Sequence, residues 1–115
     1  MFAEIKAALP ISGNGYDQQI ITEIKAAALD LTATAEIVLP GKIEISRDDA
    51  TGIITDDSTL TDELILSTIA TWCAMRIGNP PNYDKLKAAY ECMKGNLRLS
   101  SRYTNYPWRG DIYGN

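Results

Sequence analysis

A chain of 115 residues, 45% of them apolar, is long enough to bury the core of one domain without a disulfide framework or a metal. Its net charge of −4 argues against a protein whose main task is to grip nucleic-acid phosphates, because that task needs a basic surface. The two cysteines, Cys73 and Cys92, both fall on predicted apolar helix faces, so we expect reduced core thiols.

The charge is distributed unevenly along the chain. Residues 1–70 contain twelve acidic and four basic residues, a net of −8, whereas residues 71–115 contain seven basic and three acidic residues, a net of +4. Such polarity favours head-to-tail association between copies of one chain. A chance asymmetry on a solvated surface is the alternative interpretation.

The N-terminal third predicts two helices. Residues 2–9 favour a short helix that Pro10 ends, and Asn14 is the expected N-cap of a longer helix over residues 16–34. The apolar stripe of the longer helix recurs at helical spacing and comprises Ile20, Ile24, Ala27, Ala28 and Leu31. Glu4 and Lys6 interrupt the segment where a secretory signal would be apolar, so we expect the chain to be made and kept in a cytoplasm.

The middle of the chain predicts a β-hairpin over about residues 42–55. Residues 42–47 alternate polar and apolar side chains, residues 48–52 predict a turn, and residues 52–55 predict the returning strand. A two-stranded hairpin is only marginally stable alone. We therefore expect it to pack on the helices or on a neighbouring subunit.

The C-terminal half predicts two further helices joined by a tight turn. The first covers residues 61–77, with Thr61 as N-cap and Gly78 as the left-handed residue at its end. The second covers residues 83–100, with Asn82 as N-cap, and the short connection makes the two helices antiparallel neighbours. Their apolar stripes are Leu64, Ile65, Ile69, Trp72, Cys73 and Ile77 in the first, and Leu86, Ala89, Tyr90, Met93 and Leu97 in the second.

Together these elements predict a mainly α fold. We expect a compact bundle of three to four helices over residues 1–102, a small β-hairpin insertion, and an extended C-terminal tail over residues 103–115. The tail lacks helical or strand periodicity and carries four aromatic side chains, Tyr103, Tyr106, Trp108 and Tyr113. Because Tyr and Trp are favoured in interfaces, the tail is interpreted as an arm that docks on a partner. A frayed terminus without a role is the alternative.

The sequence predicts no catalytic chemistry. The chain has no histidine, so neither a Ser–His–Asp nor a Cys–His nucleophile can be assembled within it. The acid pairs at residues 48–49 and 56–57 lie on predicted loops, where solvated charge is expected, and residues 48–52 lack the acid spacing of an EF-hand. We therefore predict a protein that is not an enzyme and uses no metal or cofactor. No stretch approaches the roughly 18 apolar residues of a membrane-spanning helix.

A small helix-turn-helix-like DNA-binding regulator is the alternative function. Residues 61–100 form two predicted helices joined by a turn, and the second helix carries Lys85, Lys87, Lys94 and Arg98. A recognition helix projects basic and amide side chains from its N-terminal turn into the major groove. Here that turn contains Tyr83, Asp84 and Lys85, which together with the negative net charge disfavours sequence recognition.

Four runs of residues in the C-terminal half form a distinctive series. They are residues 62–73, an acid-led helix with an aromatic-and-Cys segment; Gly78–Asn79–Pro80, a turn; residues 83–91, a Lys-x-x-x-Ala-Tyr-Glu helix; and residues 97–103, Leu-x-Leu-Ser-x-x-Tyr. This series resembles the head–tail connector, or adaptor, proteins of tailed bacteriophages. The N-terminal half is similar more loosely, through a Tyr–Asp-led helix with a central alanine run. The insert at residues 36–57 departs from shorter family members.

The resemblance implies a structural protein of the virion at the head–tail interface. Such a protein forms a ring, usually twelve-fold, beneath the portal protein, extends the DNA channel and carries the stopper or tail-completion protein. DNA passes through the channel without sequence-specific binding. On this interpretation we expect the aromatic tail to contact the portal through Tyr103, Tyr106, Trp108 and Tyr113. We expect contacts between subunits to include Arg98, Arg102, Glu44 and Asp48.

Overall fold

The computed structural model is mainly helical and describes residues 1–100 and 102–104. In chain order its elements are α1 (Phe2–Ala7), α2 (Asp17–Ala33), β1 (Ile45–Arg47), β2 (Ile54–Asp56), α3 (Glu63–Arg76) and α4 (Tyr83–Leu99). The predicted helical bundle with a small antiparallel hairpin is confirmed. Three of the four predicted arm residues, Tyr106, Trp108 and Tyr113, lie outside the described residues.

The central helix of the bundle is α3, which packs against α1, α2 and α4. No charged residue occurs between Glu63 and Arg76, so most of its surface is suited to burial. Ile65, Ile69 and Cys73 are fully buried along it. The other elements are therefore arranged around one apolar helix.

One core joins the helices and the hairpin, and it contains most of the predicted apolar stripes. In α2 the buried stripe positions are Ile20, Ile24, Ala27 and Leu31, while Ala28 is half-buried. In α4 the buried positions are Tyr90 and Leu97, while Leu86 and Met93 are half-buried. Helical periodicity predicted the buried face of α2 because that face is set by local geometry, whereas in α4 it predicted only part of the buried face.

Three predicted core positions are wrong. Leu64 is 57% exposed, and Ala89 and Cys92 are exposed on α4. Cys92 lies two residues after Tyr90, which places it about 200° around the helix from that buried ring. Leu64 precedes the fully buried Ile65 by one residue, and the core packs against Ile65.

Two predicted helix caps are also wrong. The N-cap of α2 is Tyr16 rather than Asn14, whose side-chain oxygen instead accepts a hydrogen bond from Lys6 Nζ at 2.9 Å. The N-cap of α3 is Asp62 rather than Thr61. The predicted turn after α3 is confirmed, because Gly78 adopts a φ of 78°.

The hairpin packs on the helices of its own chain. β1 and β2 pair antiparallel, with Ile45 opposite Asp56, and the Ile45 side chain is only 4% exposed. β1 contacts α2, and Asp56 Oδ2 accepts a hydrogen bond from the backbone N–H of Phe2 at 2.7 Å. Intramolecular support, one of the two possibilities expected for this hairpin, is therefore present.

Candidate interaction surface

The carboxylate of Asp62 connects the start of α3 to the end of the described chain. Its Oδ1 accepts hydrogen bonds from the backbone N–H groups of Leu64 and Ile65 at 3.0 and 3.1 Å, and its Oδ2 accepts one from the Tyr103 hydroxyl at 2.9 Å. Burial disfavours the charge of Asp62, but hydrogen bonds from Ile65 and Tyr103 and the positive charge of Arg102 outweigh burial and lower its pKa. An ionised carboxylate therefore holds the two segments together.

Tyr103 is a core residue rather than part of an exposed arm. Its side chain is 2% exposed, and its carbonyl oxygen accepts a hydrogen bond from the backbone N–H of Val38 at 2.6 Å. Thr104 continues this contact through an antiparallel bridge to Ile37. The prediction that Tyr103 contacts a partner is therefore wrong, because its ring and hydroxyl are satisfied within the bundle. The helical unit extends through Thr104, two residues beyond its predicted end.

Arg102, predicted to lie between subunits, makes an ion pair within its own chain. Its Nη2 atom is 3.0 Å from Asp62 Oδ2, and its guanidinium lies over the Tyr103 ring, 5.3 Å from the ring centroid. The Arg102 side chain remains 71% exposed. A carboxylate of a neighbouring subunit would therefore have to share this guanidinium with Asp62.

The other three predicted subunit contacts lie at two separate places. Asp48 Oδ1 accepts a hydrogen bond from the backbone N–H of Ala50 at 2.8 Å and so closes the hairpin turn. Glu44 is exposed just before β1, and Arg98 is exposed in the last turn of α4, where the helix dipole favours a cation. The structure does not bring Arg98 together with the two hairpin acids, and their role between subunits stays a prediction.

Part of the charge difference between the two halves of the chain is compensated by ion pairs within the chain. Three basic residues of the C-terminal half pair with acids of the N-terminal half, in the pairs Arg76–Glu23 at 3.5 Å, Lys94–Asp30 at 3.2 Å and Arg102–Asp62 at 3.0 Å. Lys94 also lies 3.4 Å from Glu91. The charge of Lys94, one of four cations that a DNA-binding helix would present, is therefore largely compensated.

Sequence reasoning placed Tyr90 and Trp72 in the core but missed their polar partners on α2. The Tyr90 hydroxyl donates a hydrogen bond to Asp30, and Trp72 Nε1 donates one to Glu23 at 3.0 Å. Burial and the Asp30 hydrogen bond raise the pKa of Tyr90. Asp30 and Glu23 each precede a buried residue of α2, Leu31 and Ile24. An acid at the edge of an apolar stripe was the pattern that could have revealed them.

The described part of the chain assembles no reactive constellation. Burial and the nearby charge of Glu23 raise the pKa of the Cys73 thiol to about 12, so this thiol is unreactive at neutral pH. Within residues 1–100 and 102–104, no group of three or more His, Cys, Asp or Glu residues could hold a metal ion. None of the helices in that range is both long enough and apolar enough to span a membrane. The prediction that the protein is not an enzyme stays a prediction.

Comparison of the chain with family models, curated proteins and solved structures found no match. The function is therefore inferred from the residues and their geometry.

Proposed function

We propose that this protein is a head–tail connector of a tailed bacteriophage. It is a structural subunit that forms a ring beneath the portal protein and joins the capsid to the tail or stopper. One observation carries the proposal. The four runs that resemble connector sequences make up one closed unit, because α3, the turn at Gly78, and α4 are consecutive and Tyr103 returns to Asp62. Sequence runs that lie together in space can act as one structural unit, which supports reading the four of them as a single connector-like domain.

The proposed portal contact is the aromatic segment that follows Thr104. Because Tyr103 and Thr104 are held against Val38 and Ile37, this segment starts from a defined point on the bundle. Tyr and Trp side chains are effective anchors at interfaces, and tethering them raises their effective concentration at a partner. The segment contains Tyr106, Trp108 and Tyr113.

Exposed acids support a channel that DNA passes without being gripped. The hairpin region alone exposes Glu44, Asp48, Asp49 and Asp57. Strong association with nucleic acid depends on cations that displace the counterions of the phosphates. A wall with excess negative charge provides no such attraction.

The connector role is tested by co-sedimentation with the portal protein of the same phage, followed by electron microscopy of the mixture. The full chain should sediment with the portal and appear as an added ring. Deletion of residues 105–115 should abolish co-sedimentation and leave the bundle folded, since Tyr103 and Thr104 remain.

Two results would contradict the proposal at different points. Unchanged co-sedimentation of the shortened chain would refute the arm as the portal contact. Failure of the full chain to bind the portal, combined with duplex DNA binding that weakens steeply as salt rises, would refute the connector role and favour the DNA-binding alternative.

A further inference from the structure

An open apolar groove runs along α3 between α1 and α4. Two adjoining cavities of about 460 and 330 Å³ share Ala8, Ser67 and Ala70 and so form one continuous depression. Leu66 and Ala74 extend its floor along α3, and Leu86 of α4 lines its far end. We call this depression the α3 groove.

The α3 groove is the side of α3 that its own chain leaves uncovered. A helix without charge over most of its length is normally covered on all sides. Here α1, which borders the groove, has six residues against fourteen in α3, so it covers only part of the longer helix. Leu66, Ala70 and Ala74 consequently stay partly exposed.

A second uncovered apolar surface lies on α4, on the side turned away from its buried residues. It is formed by Ala88, Cys92, Gly95 and Leu99, which follow one another at helical spacing, and we call it the outer face of α4. Leu99 is 80% exposed, and Ala88 and Cys92 are exposed as well. The outer face is narrow and built mainly from small side chains, so it suits insertion between two helices.

The acidic end of the groove faces no net positive charge of its own, whereas α4 is basic overall. Glu4 and Glu63 line that end of the α3 groove; Glu4 contacts the amino group of Met1 and its side chain stays 66% exposed. The α4 helix carries four basic and two acidic residues, a net of +2 (4 − 2). Lys85 borders one side of its outer face, and Asp84, Glu91 and Arg98 border the other side. Neither Lys85 nor Arg98 forms an ion pair with any residue in 1–100 or 102–104.

We propose that the outer face of α4 in one copy of this chain docks in the α3 groove of a second copy. The docked helix covers the apolar side of α3, and one of its cations, Lys85 or Arg98 according to the direction of the helix, approaches the acidic end of the groove. Because two different surfaces meet, the contact is heterologous and each copy engages two neighbours, which generates a ring or a filament. The proposal deepens the connector function by naming the surfaces between subunits, although the contact itself requires only this chain.

Disulfide trapping tests this contact directly. Ala70 lies midway along the groove and Cys92 lies midway along the outer face, so they approach each other whichever way the docked helix runs. The substitution Ala70→Cys should therefore give, on mild oxidation of concentrated protein, a ladder of dimers, trimers and larger species. Cys73 does not compete because its thiol is buried.

Matched variants separate this contact from symmetric ones. The ladder should disappear in the A70C/C92S double variant, and Lys25→Cys, at an exposed position of α2, should cross-link several times more slowly. Dimers from the unmodified chain would indicate an α4–α4 contact, and dimers from A70C/C92S a groove–groove contact; either result overturns the proposal. The proposal is also overturned if the A70C variant gives no cross-links although its melting temperature equals that of the unmodified chain.

A non-covalent measurement provides an independent check. Ala88→Glu should weaken self-association in sedimentation velocity by a factor of ~10 or more, because it buries an uncompensated carboxylate. Its thermal unfolding should be unchanged because Ala88 is exposed. A ladder that appears only after deletion of residues 105–115 would mean that this segment occupies the groove, which contradicts a second copy there. These outcomes do not depend on portal binding, so the contact and the connector role fail separately.

Discussion

Asp62 shows how much of this molecule depends on single acids that are partnered far along the chain. It caps α3 through two backbone N–H groups and binds Tyr103, 41 residues away. Asp30 plays a comparable part for α4, since it accepts hydrogen bonds from Tyr90 and Lys94. Asp56 ties the hairpin to the start of α1. Each carboxylate joins two elements whose contact cannot be predicted from hydrophobic periodicity alone.

Tyr103→Phe should lower the free energy of unfolding by about 2 kcal/mol, because the hydroxyl donates to an ionised and buried carboxylate. Urea unfolding followed by circular dichroism measures the change. Tyr83→Phe, at a surface position, is the matched control and should differ little from the unmodified chain. Equal stability of the two variants would show that the Tyr103 hydroxyl does not contribute to holding the segment after α4 against α3.

Acid should destabilise the fold below about pH 4. Burial opposes the charges of Asp30, Asp56 and Asp62, but hydrogen bonds outweigh it and lower the pKa of all three below the unfolded value of about 3.9. The stability that these ionised carboxylates contribute to the fold is therefore fully present above about pH 4. It is lost as the pH falls through their pKa values in the folded protein. Urea midpoints measured from pH 7 to pH 2 test this.

The same titration has an internal control. Without histidine, the chain should show little change in stability between about pH 5 and pH 7. Asp62→Asn should reduce the acid-dependent part of the loss, since one carboxylate no longer titrates. A loss that begins above pH 5 would be inconsistent with these carboxylates as its cause.

Two glycines illustrate opposite demands at the scale of elements. Gly95 lies in the interior of α4, and an added Cβ would meet no atom within 4 Å. Gly41 precedes the hairpin and lies against the backbone of Leu60, where an added Cβ would be 2.7 Å from the Cα atom. The first glycine weakens a helix, while the second permits a close approach between two chain segments.

Gly95→Ala should stabilise the protein by up to about 1 kcal/mol, because alanine is the stronger helix former and the space is open. Gly41→Ala should destabilise it, since the Leu60 backbone must shift to avoid the new methyl group. Thermal unfolding of both variants shows whether each substitution raises or lowers the melting temperature. A neutral Gly41→Ala variant would contradict the packing of the hairpin entry on Leu60.

At the scale of the whole molecule, Tyr103 and Thr104 belong to the bundle. Deletion of residues 103–115 should therefore lower the free energy of unfolding by about 3 kcal/mol more than deletion of residues 105–115, because it removes a buried aromatic side chain. Urea unfolding of the two shortened chains gives the difference directly. Equal stabilities would place Tyr103 outside the core.

The helices, their order, the hairpin and the turn at Gly78 were predictable from the chain because each depends on neighbours within a few residues. Apolar spacing predicts which side of α2 is buried, and Gly78 with the following prolines predicts the end of α3. The candidate site was less predictable. The tail is rich in aromatic residues, but composition does not show that Tyr103 is buried in the core.

Tertiary packing decided which of several equivalent side chains is enclosed. Cys73 and Cys92 looked alike on their helices, yet only Cys73 faces neighbouring helices; Tyr83 stays 40% exposed, whereas Tyr103 is buried. The physical reason is that periodicity defines a face of one helix, whereas burial requires a second element to cover it. The hydrogen bond between Tyr103 and Asp62 forms only when the start of α3 and the segment that follows α4 come together.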